Sequence, residues 1–438
     1  MEKIHHHSAA IDIGSRNIFI GIEGEQVAVF GTFTQDFKDA VSHLLSHGIK
    51  TVAMEATGSY WIILYDVLQA AGLDVWLVDG RQTRQVPGRK TDVKDCQWIN
   101  QLHSYGLLNR CFVAEGLVKK LRSYQRLRED HIRSAAMHVN HMQKALIEMN
   151  LRLLEVLSQV QGKSGLSIIE AILAGERNPH ALLAYCHGSL VKNKSEEILK
   201  ALEGYYTETG LFSLLQAYEA YQFYQGQILA CDKKIEEVLN QHQDLPEEKP
   251  KRKSKPVRHH KPTVDGLEEH LRLLFNGKDA TQLSGITSYT WFQLYTEAGE
   301  DLSKWKSEKH FTSWLGLSPG QNHSGKTRRS KSKGKPKAGQ IFRTIAQSLL
   351  TSKRIALGEF GRRIRARKGS RIAIKAVARK LAEQYWRLMV KGKDFVEKGI
   401  EDYKNRLLAQ KKKYFQKLAI ELDEKTALME ISHNQYVI

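Results

Sequence analysis

The chain has 438 residues, 41% of them hydrophobic and 8% aromatic, which is enough for at least two cores, since one core rarely grows past about 250–300 residues. No run approaches the roughly 18 uninterrupted apolar residues of a membrane span, no apolar signal core opens the chain, and Cys96, Cys111, Cys186 and Cys231 have no spacing that would close a zinc site, so a soluble protein with reduced thiols is expected, without a membrane partner. The formal net charge of +19 points to a polyanionic partner rather than to a fold.

In chain order, Ile11-Asp12-Ile13-Gly14, Ile18-Phe19-Ile20 and Val27-Ala28-Val29-Phe30, with a turn at Gly24-Glu25, predict three consecutive strands joined by tight turns. A helix from about Asp36 to His47, a strand at Thr51–Met54, a second helix near Trp61–Ala71, a strand at Leu73–Val78 and a helix after Lys90 complete the order βββαβαβα. This order suits a mixed sheet covered by helices, and it is also the order of the ribonuclease H-like fold.

From Ile132 the apolar positions Ala135, Val139, Met142, Leu146, Met149, Leu153, Val156 and Val160 alternate spacings of three and four, which predicts a sustained helical seam. A weaker seam through Leu214, Tyr218, Tyr221, Ile228, Ile235 and Leu239 would be the returning arm, interrupted by Gln225 and Asp232. The pair serves equally as core packing within a helical domain or as a dimer arm. Residues 244–264, with four prolines and a run of lysines and arginines, read as a basic linker. Leu283-Ser284-Gly285-Ile286-Thr287 resembles a helix-hairpin-helix turn, whose backbone amides can hold a phosphate. Phe311–Leu317 leads into a Lys/Arg/Ser/Gly-rich loop, and basic helices follow from Gln340 to about Leu422.

The charge is unevenly placed. Residues 1–120 hold 12 Lys/Arg and 13 Asp/Glu, whereas residues 319–418 hold 29 Lys/Arg against 6 Asp/Glu. A polyanion held by the C-terminal half, beside chemistry in the N-terminal half that needs carboxylates, follows from this asymmetry; a merely solvated basic face is the alternative. Four carboxylates qualify. Asp12 sits in the first strand, Glu55 directly follows the fourth, and Asp92 and Asp95 share one face at a helix start. In a ribonuclease H-like sheet the first and fourth strands are neighbours, so the four would converge, and convergent carboxylates repel unless a divalent cation neutralises them. Paired magnesium ions would then serve phosphoryl transfer. Taken singly, Asp12 is equally a turn residue and Asp92 an N-cap. An Asp-x-Gly turn also opens actin-like ATPases, but residues 117–240 read as helical and lack the second glycine phosphate loop those folds need.

The strings Ile11-Asp12-Ile13-Gly14, Met54-Glu55-Ala56-Thr57-Gly58-Ser59-Tyr60-Trp61 and Lys90-Thr91-Asp92-Val93-Lys94-Asp95, followed late in the chain by Trp314-Leu315-Gly316-Leu317-Ser318-Pro319 and Ser324-Gly325-Lys326, resemble the DEDD insertion-sequence transposases. These are bridge-RNA-guided recombinases with a RuvC-like first domain. Gly325 is followed by Lys326, where the family often carries a second glycine. The resemblance implies that Asp12, Glu55, Asp92 and Asp95 hold Mg2+ and that Ser324 is the nucleophile. It also implies a structured guide RNA pairing with target and donor DNA, a dimer or tetramer whose active sites join the two domains, and a cytoplasmic, nucleoid-associated protein of a prokaryote. The domains expected are 1–116 (RuvC-like, α/β), 117–243 (helical coiled coil), 244–264 (linker), 265–352 (carrying Ser324) and 353–438 (basic helical extension). Lys326, Arg328, Arg329, Lys331, Lys333, Lys335 and Lys337 are the expected phosphate contacts. A structure-selective nuclease activating water, or a non-catalytic nucleic-acid scaffold, would use the same features differently.

Overall fold

The computed structural model describes residues 2–83, 92–242, 256–257, 259–319, 336–392 and 400–434. By internal contacts the chain divides into two compact units, Met1–Val113 and Ala114–Ile438. The first is a mixed α/β unit, compatible with a RuvC-like domain, and the second is helical.

In the first unit, β1 (Ser8–Ile13), β2 (Asn17–Ile22) and β3 (Ala28–Gly31) form an antiparallel meander, and β4 (Thr51–Glu55) and β5 (Asp74–Val78) join it in parallel, giving the order β3-β2-β1-β4-β5. Gly24, with φ of 82°, makes the β2–β3 turn where a side chain would be strained. Alternation along the strands sends Ala9, Ile11, Ile13, Val52 and Met54 to one face, where they pack against Phe37, Ala40 and Leu44 of α1 (Thr34–Ser46) and Leu64, Tyr65 and Leu68 of α2 (Trp61–Ala70). Ala10, Ala53 and Val78 line the other face. They pack against Cys96 and Ile99 of α4 (Asp92–Ser104), which crosses β1 and β2, while the short α3 (Gly80–Thr83) follows β5 directly. Near the N-terminus the His5 ring stacks on buried His103 at 4.6 Å, and the Ile4 and His5 amides donate to the Ser104 carbonyl. Burial, and then His5, push His103 down to about 4, so its ring is neutral where it meets the Thr51 hydroxyl at 3.0 Å.

The second unit opens with α5 (Gly116–Glu148), which lies antiparallel to α10 (Glu208–His242). The predicted seam runs along α5 only as far as Met149. Asn150 turns left-handed (φ 58°), and Leu153, Val156 and Val160 belong instead to a small cap of α6 (Leu153–Val156), α7 (Lys163–Leu173), α8 (Pro179–Leu183) and α9 (Gly188–Leu202), with a core including Ile168, Ile172, Leu182 and Ile198. The 3/4 spacing continues past the break because short helices also bury every third or fourth residue. Asp232, expected as a polar interruption of the arm, is buried in an ion pair with Arg128 of α5 at 2.5 Å, each side chain 1% exposed. Arg128 also donates to the Tyr289 hydroxyl and the His260 carbonyl, and the Thr263 amide donates to Asp232, so this pair fastens the arm's root to the end of the predicted linker and to Tyr289 beyond it. Of the linker, residues 244–255 and 258 lie outside the described residues.

Beyond it, α11 (Leu267–Leu274), α12 (Ser288–Ala298), α13 (Glu308–Trp314), α14 (Lys337–Thr351), α15 (Ala356–Lys368) and α16 (Ser370–Lys391) surround Trp291, Phe292, Tyr295, Phe311, Phe342 and Tyr385, all fully buried. Each of the three phenylalanines contributes about 1.5–3 kcal/mol by leaving water. A last helix, α17 (Ile400–Asn434), follows. No helix of the described residues is long and apolar enough to cross a membrane.

Candidate active site

The parallel pairing of β1 with β4 runs Ala9↔Val52, Ala10↔Ala53 and Ile11↔Met54, so the next step brings Asp12 level with Glu55. Both strands end within a residue of this level, at the same end of the sheet. By alternation Asp12 shares the face of Ala10, and Glu55 that of Ala53, which is the face α4 covers. The third and fourth carboxylates arrive on that helix. Its register is set by Cys96, whose buried thiol donates to the Ala10 carbonyl at 3.1 Å and the Phe19 carbonyl at 3.0 Å. Phe19 lies opposite Asp12 in the β1–β2 register, so the first turn of α4, bearing Asp92 and Asp95, is carried to Asp12. Gly21 permits this approach, because a Cβ there would stand 2.9 Å from the Cys96 sulfur.

The electrostatics follow from that placement. Burial, and after it the charges of Asp92, Asp95 and Glu55, push the Asp12 carboxyl up to about 6, against one backbone hydrogen bond from Ile13 that acts the other way. All three other members of the expected quartet therefore act on Asp12. Among the described residues, however, no three or more His, Cys, Asp or Glu side chains close into a metal-ligand set. The arrangement fits a divalent cation by its donor chemistry: hard oxygen ligands whose mutual repulsion a cation would relieve. Burial also pushes Cys96 up to about 12, which keeps it a neutral packing group rather than a ligand.

Glu55 is held from a direction that the sequence did not disclose. The Thr83 hydroxyl donates to Glu55 Oε2 at 2.6 Å, and Gly80 leaves room for the same carboxylate, since a Cβ on it would lie 2.3 Å from Oε1. Trp98 of α4 donates its indole N–H to the Thr83 carbonyl at 3.1 Å, and Gln82 and Asn109 exchange hydrogen bonds at the same turn. No motif marked Thr83 or Gly80. The adjacency appears only once β4 and β5 are paired.

In the second unit, Ser324, Lys326, Arg328, Arg329, Lys331, Lys333 and Lys335 lie outside the described residues, while the segments on either side are anchored. Gly316 (φ 65°) ends α13, Leu317 is buried, Arg343 donates to the Gly316 carbonyl, and Gly339 packs where a Cβ would overlap the Leu315 carbonyl. Lys337, expected on a phosphate, donates to Glu129 of α5 at 2.9 Å. Other arginines of this unit are likewise engaged within it. Arg122 donates to the Thr296 and Glu297 carbonyls, and Arg126 pairs with the Glu297 carboxylate. The suspected helix-hairpin-helix turn is packed against α14, where Gly285 (φ 78°) meets Ile345 and Leu349, and the Thr287 amide donates to Thr290 rather than to an incoming group. Exposed cations cluster instead at the α15–α16 junction, at Arg365, Arg367, Lys368 and Arg371.

Two family models match the chain. A DEDD transposase model of the IS110 type covers residues 3–150, and one described as the transposase IS116/IS110/IS902 family covers residues 278–360, together more than half of the sequence. No curated protein matches it. The carboxylate edge falls within the first match, and the α12–α14 core with Trp314–Pro319 within the second, so the chain belongs to the IS110 family of DEDD transposases, which are DNA-processing enzymes.

Proposed function

We propose that this transposase is an RNA-guided recombinase that cuts and rejoins DNA through a phosphoserine intermediate on Ser324. The observation that supports the reading is the placement of Asp12, Glu55, Asp92 and Asp95 about one end of the sheet, where burial, and after it the charges of the other three, raise Asp12 to about 6 in a unit otherwise balanced in charge. These four residues would hold the divalent cation, Mg2+ in our reading. When bound, the cation supplies Lewis-acid stabilisation of charge on a scissile phosphate. The Thr83 hydroxyl, which donates to Glu55 Oε2, would fix the orientation of that carboxylate. The Ser324 hydroxyl attacks phosphorus, the Oγ–P bond forms as the P–O3′ bond breaks, and the serine's proton ends on the departing 3′-hydroxyl. Lys326, Arg328 and Arg329 offset the charge that develops. Attack by a 3′-hydroxyl on the 5′-phosphoserine reverses the step and joins DNA without ATP. Target and donor DNA and a structured guide RNA are the proposed partners, held by the exposed cations of the C-terminal half in an oligomer of this chain.

The test is to trap the reaction on a nicked substrate and map the protein–DNA adduct by mass spectrometry. The adduct is expected on Ser324, with Ser313, Ser318, Ser330 and Ser332 as internal controls, and Ser324→Ala should bind nucleic acid yet give neither adduct nor recombinant. Full recombination by Ser324→Ala would leave a nuclease that activates water.

A further inference from the structure

Helix α17 runs for 35 residues, a rod of about 50 Å at 1.5 Å per residue. It meets α15 near its start, where Arg363 donates to the Tyr403 hydroxyl at 3.2 Å. Farther along, its large apolar side chains face solvent: Leu408 is 54% exposed, Tyr414 and Phe415 63% each, and Leu418 37%. Leu408 and Phe415 are seven residues apart, Leu418 follows three later, and Tyr414 lies beside them, so these residues form one stripe. A helix of this kind owes its stability mainly to packing of its apolar face, not to propensity.

A second observation says what packs there. After Glu401 and Asp402 at its start, charge on α17 is segregated along its axis, and one ion pair within the helix, Lys417 with Glu421, joins the two blocks. Between Tyr403 and Lys417 there are six cations, Lys404, Arg406, Lys411, Lys412, Lys413 and Lys417, and no acid, whereas Glu421, Asp423 and Glu424 follow within the next two turns. Parallel pairing of two such helices would set cations on cations. Antiparallel pairing centred between Gln416 and Lys417 sets Phe415 of each copy opposite Leu418 of the other, and lays Lys411 and Lys412 of each copy against the segment that carries Glu421, Asp423 and Glu424 of the other. Nucleic acid would satisfy the cations but neither the acidic block nor the stripe. The helix also lies outside both regions matched by the transposase families.

We propose that α17 is a self-association helix that pairs antiparallel with α17 of a second copy of this chain. In the full-length protein, a photo-cross-linking residue in place of Leu408 should cross-link to the 421–428 segment of a second copy. The yield should fall at least tenfold in Lys411→Glu/Lys412→Glu/Lys413→Glu, and also in Phe415→Asp/Leu418→Asp. It should recover when the triple lysine variant is mixed with Glu421→Lys/Asp423→Lys/Glu424→Lys. Cross-links to nucleic acid, to another part of the same chain or to the 405–411 segment of a second copy would overturn the proposal, as would a yield indifferent to charge reversal.

Discussion

The sheet unit and the helical unit handle charge in opposite ways. In the first unit, near balance overall, four carboxylates converge on one edge and Asp12 is raised to about 6 by burial and by the other three. In the second unit the excess is positive, yet many cations are already engaged: Arg128 with Asp232, Arg126 with Glu297, Lys337 with Glu129, and Arg272 with Glu268 and Asp279. A region's net charge therefore indicates a partner only after the internally paired residues are set aside. What remains is Asp12 under the charge of three other carboxylates in one unit and exposed basic helices in the other, which suit a cation site and a polyanion-binding surface respectively.

An inert set of carboxylates would erase the difference between the two units. Asp12→Ala, Glu55→Ala, Asp92→Ala and Asp95→Ala should each lower DNA exchange by at least about a thousandfold, on the order of 4 kcal/mol in the barrier. Folding should be unchanged by circular dichroism, and near wild-type exchange in two of the four variants would discard the quartet. The opposite behaviour is expected of the buried pair. Asp232→Ala strands the Arg128 charge and should cost about 3–5 kcal/mol in denaturant unfolding, whereas Arg128→Met/Asp232→Leu should recover most of that loss. If the single variant is as stable as wild type, the pair does not fasten the arm. A smaller effect sharpens the picture of the first unit. Thr83→Ala frees the Glu55 carboxylate and should lower cation affinity about 10- to 100-fold, while Thr83→Ser retains the hydroxyl and the affinity. Equal loss in both variants would mean that Thr83 acts through packing.

Much of the first unit was legible from alternation and tight turns, because period-2 patterns ending at Gly24 and at Glu55 leave few alternative registers. Asp12 and Glu55 were legible for the same reason: a carboxylate at the end of an otherwise apolar strand stands out. Thr83 and Gly80 were not, since their role depends on the neighbouring strand and not on their own spacing. In the helical unit, periodicity located α5 and α10 but overran the turn at Asn150, and it could not tell that Asp232 had a partner 104 residues earlier in the chain. Side chains paired over such distances leave no local signature.

The four carboxylates should act as one cation site with Asp12 at its centre. Titration calorimetry of the full chain with Mn2+ or Mg2+ tests it directly. Because a proton on Asp12 competes with the cation, and that proton is held up to a pH of about 6, binding should be strong at pH 8 and weaken as pH falls through 6. Asp12→Asn should abolish it at both values. Binding by Asp12→Asn with wild-type affinity, or wild-type binding that does not change between pH 8 and pH 5, would rule out a cation site centred on Asp12.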